Sequence, residues 1–230
     1  MILRAVLILI LLQANHVFGQ TSLKQINLTN GKHKVGFIHY TTADSSRTYS
    51  RIYDYSNSKL ARLIPVSIWY PADQVKDESE RITVLNYLEI LKEEEEWEHL
   101  PNEHILNWFY YANTPANQKH LNEKSSAYPN VPFAKGKFPV VVYAPSFQAS
   151  SIENFALCEY LASHGYMVIA SPSRGTANRW FSSNNPKEME TQARDVEFLI
   201  KEVAKFPQAD MDKISVMGFS FGGLANILAQ

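Results

Sequence analysis

Apolar and polar positions alternate early in this chain and give way to continuous apolar runs later. Residues 34–42 alternate, and so do 62–71, where Ile64, Val66, Ile68 and Tyr70 share one face. That period predicts two strands, and two in succession predict an antiparallel opening pair. Pro65 inside the second places it at an edge or a bulge. The polar stretch 43–58 between them reads as an extended connection. From residue 138 the grammar changes. The run 139–144 is apolar throughout, as in a strand buried on both faces. Ser150 and Glu153 have capping-box spacing and predict a helix running to about His164, with Gly165 past its end. Residues 166–170 form the next strand. Asn185-Pro186 opens a helix with Met189, Ala193, Val196, Leu199, Ile200 and Val203 on one stripe. Residues 213–217 are a strand, and a last helix starts at Phe221. Strand and helix taking turns predict an α/β fold, a mostly parallel sheet flanked by helices.

Between the two regimes lies an acidic insertion, 76–130, with eleven acids against five bases. Val84, Leu88 and Leu91 fit a helical stripe, as do Ile105, Trp108 and Phe109. The run Glu93, Glu94, Glu95 and Glu96 reads as a solvated helix face. Glu98, His99, Glu103 and His104 have no recognised metal-ligand spacing. Trp97, Trp108, Phe109, Tyr110 and Tyr111 fit the inner face of a helical insertion better than a lipophilic entrance, though the segment is a candidate lid.

Composition and charge narrow the class. The chain is 45% hydrophobic with a formal net charge of −1, which fits a packed domain and not a nucleic-acid groove. A single cysteine, Cys158, excludes an internal disulfide and a thiolate zinc cage, and its apolar setting predicts a buried thiol. Residues 1–19 carry an early arginine, a short apolar run over 5–12, and Val17 and Gly19 at the −3 and −1 places of a cleavage site. This predicts a secretion signal, a mature chain from about Gln20, no stable membrane span after cleavage, and an extracytoplasmic protein. Asn27-Leu28-Thr29 is a glycosylation sequon, of consequence only in a host that glycosylates.

The strongest chemical signal is Gly218-Phe219-Ser220-Phe221-Gly222-Gly223. It follows a buried strand and opens a helix, the setting of a nucleophile elbow. The serine must sit on a sharp turn, so its neighbours two residues away must be nearly free of side chain; Gly218 and Gly222 meet that need and Gly223 extends it. The N–H of Phe221 at the helix N-terminus can donate to a developing oxyanion. A second donor is expected from the loop 144–150, with Phe147 the candidate and Ser146 and Gln148 its near neighbours. The bland alternative is a glycine-rich helix start with a capping serine.

These stretches, RLIPVSIWYPAD, FPVVVYAPSFQASS, LASHGYMVIASPSRG and MDKISVMGFSFGGLANILAQ, resemble the α/β-hydrolase superfamily. Within it they resemble the dienelactone hydrolase and platelet-activating-factor acetylhydrolase group. The resemblance implies a serine esterase acting on a short acyl ester, a lactone or a phospholipid acyl ester, with Ser220 as nucleophile and no metal or organic cofactor. Pro145-Ser146 stands where the family usually has His-Gly. His164-Gly165 matches a helix-closing pair, which favours a structural role.

In this fold the chain order is Ser, acid, His. Residues 221–230 contain neither an acid nor a histidine. His99, His104 and His120 would require a permuted triad. Asp195, read as lying on the outer face or edge of its helix, and Asp212, at the far end of its strand, are not placed to orient a base. Ending at Gln230 would also leave residues 214–217 as an unprotected edge. The expectation is therefore a C-terminally truncated sequence, inactive as given, whose catalytic acid and histidine lie further on. The alternatives are a non-catalytic binding module of the same fold and, less well supported for want of a propeller domain, a prolyl-oligopeptidase-type peptidase.

Overall fold

A computed structural model gives the fold over residues 22–229, apart from 57, 74, 76–79, 109–111 and 183–185. The predicted signal, 1–19, lies outside the described residues, as do Phe109, Tyr110, Tyr111 and Asn185.

Six strands form one mixed sheet: β1 (Lys34–Tyr49), β2 (Leu60–Ala72), β3 (Ala127–Pro129), β4 (Phe138–Ala144), β5 (Met167–Ala170) and β6 (Ala209–Gly218). Their spatial order is β3-β1-β2-β5-β4-β6. β1 and β2 pair antiparallel, as the alternation predicts, and β4 runs parallel to both β5 and β6. The helices are α1 (Val84–Glu94), α2 (Ile105–Trp108), α3 (Pro115–His120), α4 (Phe155–Ser163), α5 (Pro186–Val203) and α6 (Phe221–Leu228).

Strand alternation sorts the core into two layers. Ile64, Val66, Ile68, Val140 and Val142 point to one face and pack with Val196, Leu199 and Val203 of α5. Trp69, Val141, Tyr143 and Val168 point to the other and meet Cys158 and Ala162 of α4. Both faces are covered, which is why β4 reads as an unbroken apolar run. Cys158 is buried and free, as expected, and burial pushes its thiol pKa up. The insertion adds a satellite core of Val84, Leu88, Ile105, Leu106 and Leu121. Among the described residues no helix is long and apolar enough to cross a membrane.

The sequence reading does not include β3 or α3, and three of its expectations are not met. β1 continues through the polar stretch to Tyr49, with a register irregularity between Asp44 and Thr48. Asp44 accepts hydrogen bonds from Ser46 N at 2.9 Å and Arg47 Nε at 2.7 Å, so the bulge satisfies itself and pairing resumes beyond it. Pro65 pairs with Thr41, but β5 pairs only with Ser67–Trp69, so its other flank is locally an edge. The predicted capping box at Ser150 does not form. α4 begins at Phe155 instead, because both side chains are engaged elsewhere: Glu153 accepts from Ser146 N at 2.9 Å, and the Ser150 hydroxyl donates to Glu94. At the other end Gly165 has φ 97°, and Tyr166 N donates to Leu161 O at 3.2 Å, the expected left-handed stop.

Asp195 is the third difference. It is not on an outer helix face but buried, gripped by Arg62 through Nε (2.9 Å) and Nη2 (2.6 Å). Arg62 also donates to the carbonyl of Gly175 at 2.7 Å, so the pair fixes the turn that follows β5.

Candidate active site

β6 ends at Gly218 and α6 begins at Phe221, leaving two residues to reverse the chain. Ser220 takes up the reversal at φ 52° and ψ −115°. A serine enters that left-handed region only when its surroundings hold it there. The surroundings are visible. A Cβ on Gly218 would lie 2.4 Å from Gly222 backbone, and one on Gly222 would lie 2.1 Å from Ala144 O. Phe219 N donates to Ala144 O at 3.1 Å and ties the turn to the end of β4. Gly223 is different: a Cβ there would come no closer than 3.9 Å to Gly218 O, so space does not demand a glycine. The Ser220 side chain makes no capping bond to its helix, contrary to the capping-serine alternative. It is exposed and has no hydrogen-bond partner among the described residues.

The loop after β4 lies beside this turn. The Phe147 ring meets Phe221 at 5.6 Å and Phe181 at 4.6 Å, and Phe181 meets Phe221 at 5.2 Å. These three rings cluster at the start of α6, where Phe221 follows Ser220. The backbone N–H groups of Phe147 and Phe221 have no backbone partner among the described residues outside the helix itself.

The acidic run is not a solvated face. Only Glu93 is largely exposed; Glu94, Glu95 and Glu96 are buried. Glu94 accepts from Ser151 N at 2.9 Å, Ser151 Oγ at 2.5 Å and the Ser150 hydroxyl. Glu95 pairs with Arg179. Glu96 accepts from Tyr49 Oη at 2.6 Å and Ile52 N at 2.9 Å. Burial raises the Glu94 pKa against the pull of its two hydroxyl donors, and it raises that of Glu95 against Arg179. The run caps α1 against the serine loop, and its partners lie far off in sequence, so charge density alone pointed the wrong way. The doublet Ser150-Ser151 and the arginines of 174–179 were the available signals.

The histidines considered from the sequence, and His39, are placed elsewhere. His39 Nδ1 lies 2.9 Å from Ser67 Oγ, and burial lowers its pKa. His99 meets the Tyr53 ring edge-on, His104 lies 3.6 Å from Glu103, and His120 lies 3.8 Å from Glu123. His164 Nδ1 turns back to Tyr160 O at 2.8 Å in its helix-closing role. None of these contacts reaches Ser220. Asp195 is committed to Arg62, and Asp212 lies within β6 and is exposed. No group of three or more potential metal ligands gathers among the described residues. Trp97 is half-buried and donates from Nε1 to Tyr53 Oη at 3.2 Å.

Comparison with known proteins gives two kinds of match. Residues 126–229 match the dienelactone hydrolase family. Among solved structures, a ferulic acid esterase from Streptomyces cinnamoneus superposes with a TM-score of 0.62 at 19% identity, over 89% of this chain and 57% of that one. The chain thus spans a little over half the length of that esterase. A structure of DcsB with its substrate analogue matches 41% of this chain and 33% of its own at 25% identity, with a TM-score of 0.36. No curated protein matches the chain.

Proposed function

We propose a serine hydrolase of carboxylic esters with Ser220 as nucleophile, a reading supported by the α/β fold shared with an esterase and by the match of residues 126–229 to the dienelactone hydrolase family. One observation carries the reading: Ser220 is held at φ 52° between two sterically required glycines, with its hydroxyl uncommitted at the head of a helix.

In the proposed reaction Ser220 Oγ adds to the ester carbonyl carbon and a general base takes its proton. The carbonyl electron pair moves onto oxygen, where the N–H groups of Phe221 and Phe147 receive it. Collapse expels the alcohol with the proton from the base and leaves an acyl group on Ser220; water then releases the acid. The base and its carboxylate partner are proposed to lie outside the described residues. Phe147, Phe181 and Phe221 favour an apolar acyl group, as in a short acyl ester, a lactone or a phospholipid acyl ester. The whole natural protein should hydrolyse p-nitrophenyl acetate, and Ser220→Ala should lower kcat by roughly 10⁴-fold or more. Equal rates would remove Ser220 from the chemistry.

A second reading, a binding module without catalysis, is favoured by the lack of a base at Ser220 Oγ among the described residues. It predicts no turnover by either protein. The leader at 1–19 supports an extracytoplasmic site of action. N-terminal sequencing of the mature protein should begin at Gln20; retention of Met1 would contradict export by cleavage.

A further inference from the structure

The loop 145–151 is tied down at both ends and at Gln148. Pro145 O accepts from Gln192 Nε2 at 2.8 Å, and Ala149 O accepts from Ser173 N at 2.8 Å. Gln148 is bound twice: its carbonyl accepts from Arg179 Nη2 at 2.7 Å, and its side-chain oxygen accepts from Phe181 N at 3.1 Å. Ser150 and Ser151 are anchored on Glu94. The N–H of Phe147 sits in the middle of this fixed run. Gln148, the next residue, stands at φ 52°, a left-handed kink that a non-glycine residue keeps only under constraint.

Arg179 is the constraint with the widest reach. Its side chain is 1% exposed and donates to three groups: Gln148 O, Ser173 O at 3.2 Å, and Glu95. Glu95 follows α1 of the acidic insertion as its C-cap, and Glu96 after it is also left-handed, at φ 62°. Insertion, arginine and loop are therefore joined through one guanidinium.

We infer that Arg179, braced by Glu95, is a positioning residue that holds the Gln148 kink and so aims the Phe147 N–H at the Ser220 turn. The inference rests on the nucleophile reading above and deepens it. The acidic insertion becomes part of the frame that binds the oxyanion. A preorganised donor stabilises charge as it develops, whereas a loop free to relax must be reorganised during the reaction. The effect belongs to the transition state, so it appears in kcat and in the affinity for an anionic tetrahedral adduct, and only weakly in KM.

The test compares wild type, Ser220→Ala, Arg179→Met, Arg179→Lys and Glu95→Gln in the whole natural protein, with p-nitrophenyl acetate as substrate and phenylboronic acid as tetrahedral-adduct inhibitor. Arg179→Met is expected to lower kcat by about 10²-fold with KM within about threefold, and to raise the boronate Ki in step with the loss in kcat/KM. Arg179→Lys should restore part of kcat, because an ammonium can reach one of the acceptors but cannot span them. A folded Arg179→Met protein with kcat within about threefold of wild type, or with an unchanged boronate Ki, overturns the inference. Should Arg179→Met not fold, Glu95→Gln decides: it keeps an acceptor for Arg179 and is expected to lower kcat about tenfold with the same rise in Ki, and unchanged values overturn the inference. A Ser220→Ala protein as active as wild type instead defeats the nucleophile reading, so the two failures are distinct.

Discussion

At the scale of single residues, burial has been imposed on groups that prefer water, and the pH dependence of stability should show it. Glu159 is buried in α4, where it accepts from Tyr87 Oη at 2.7 Å and Ser126 N at 2.9 Å. Burial raises its pKa despite those donors. The folded state therefore binds the proton more tightly than the unfolded chain does. Its contribution is full below the ordinary carboxylate range and is lost as pH rises through the raised folded value. Glu159→Gln should flatten that part of the stability–pH curve, read by urea unfolding at several pH values. A slope identical to wild type would show that Glu159 does not titrate differently in the fold. Ser220 was legible in the sequence because what a tight turn requires, small residues two places away on each side, is local. Glu94 and Glu95 were not. Whether a carboxylate can be buried depends on partners such as Ser151 and Arg179, which lie 57 and 84 residues away.

At the scale of elements, a buried ion pair joins the sheet to its longest helix. Arg62 near the start of β2 and Asp195 in the middle of α5 are both almost fully buried, and the guanidinium is bidentate. Removing Asp195 leaves the Arg62 charge without its carboxylate in the interior, whereas Arg47, which also meets Asp195 at 2.8 Å, keeps Asp44. Asp195→Ala should therefore cost about 3–5 kcal/mol, while the double substitution Arg62→Met with Asp195→Leu should recover most of it. Denaturant melts of the two proteins check this, and a single variant as stable as wild type would refute it. β3 and α3 are too short to show a period, but most strands and helices were readable from periodicity, since the two faces of β4 and the stripe of α5 are each set by one buried surface. The limits of β1 and α4 were not. β1 runs on because Asp44, Ser46 and Arg47 satisfy one another across the bulge. α4 starts late because Ser150 and Glu153 bond elsewhere. Such side-chain choices carry no period.

At the scale of the molecule, the sheet brings the ends of β4 and β6 side by side, with Ala144 paired to Gly218. That single register puts the serine turn of β6 against the donor loop of β4, and the acidic insertion reaches the same place through Glu94 and Glu95. Three segments distant in sequence so converge on Ser220. Ser220 is proposed to owe its role as nucleophile to this convergence. Labelling the whole natural protein with a fluorophosphonate probe, followed by peptide mapping, tests it most directly. One labelled residue, Ser220, is expected, with labelling lost in Ser220→Ala and slowed in Arg179→Met. A label carried by another residue, or equal labelling of wild type and Ser220→Ala, would contradict it.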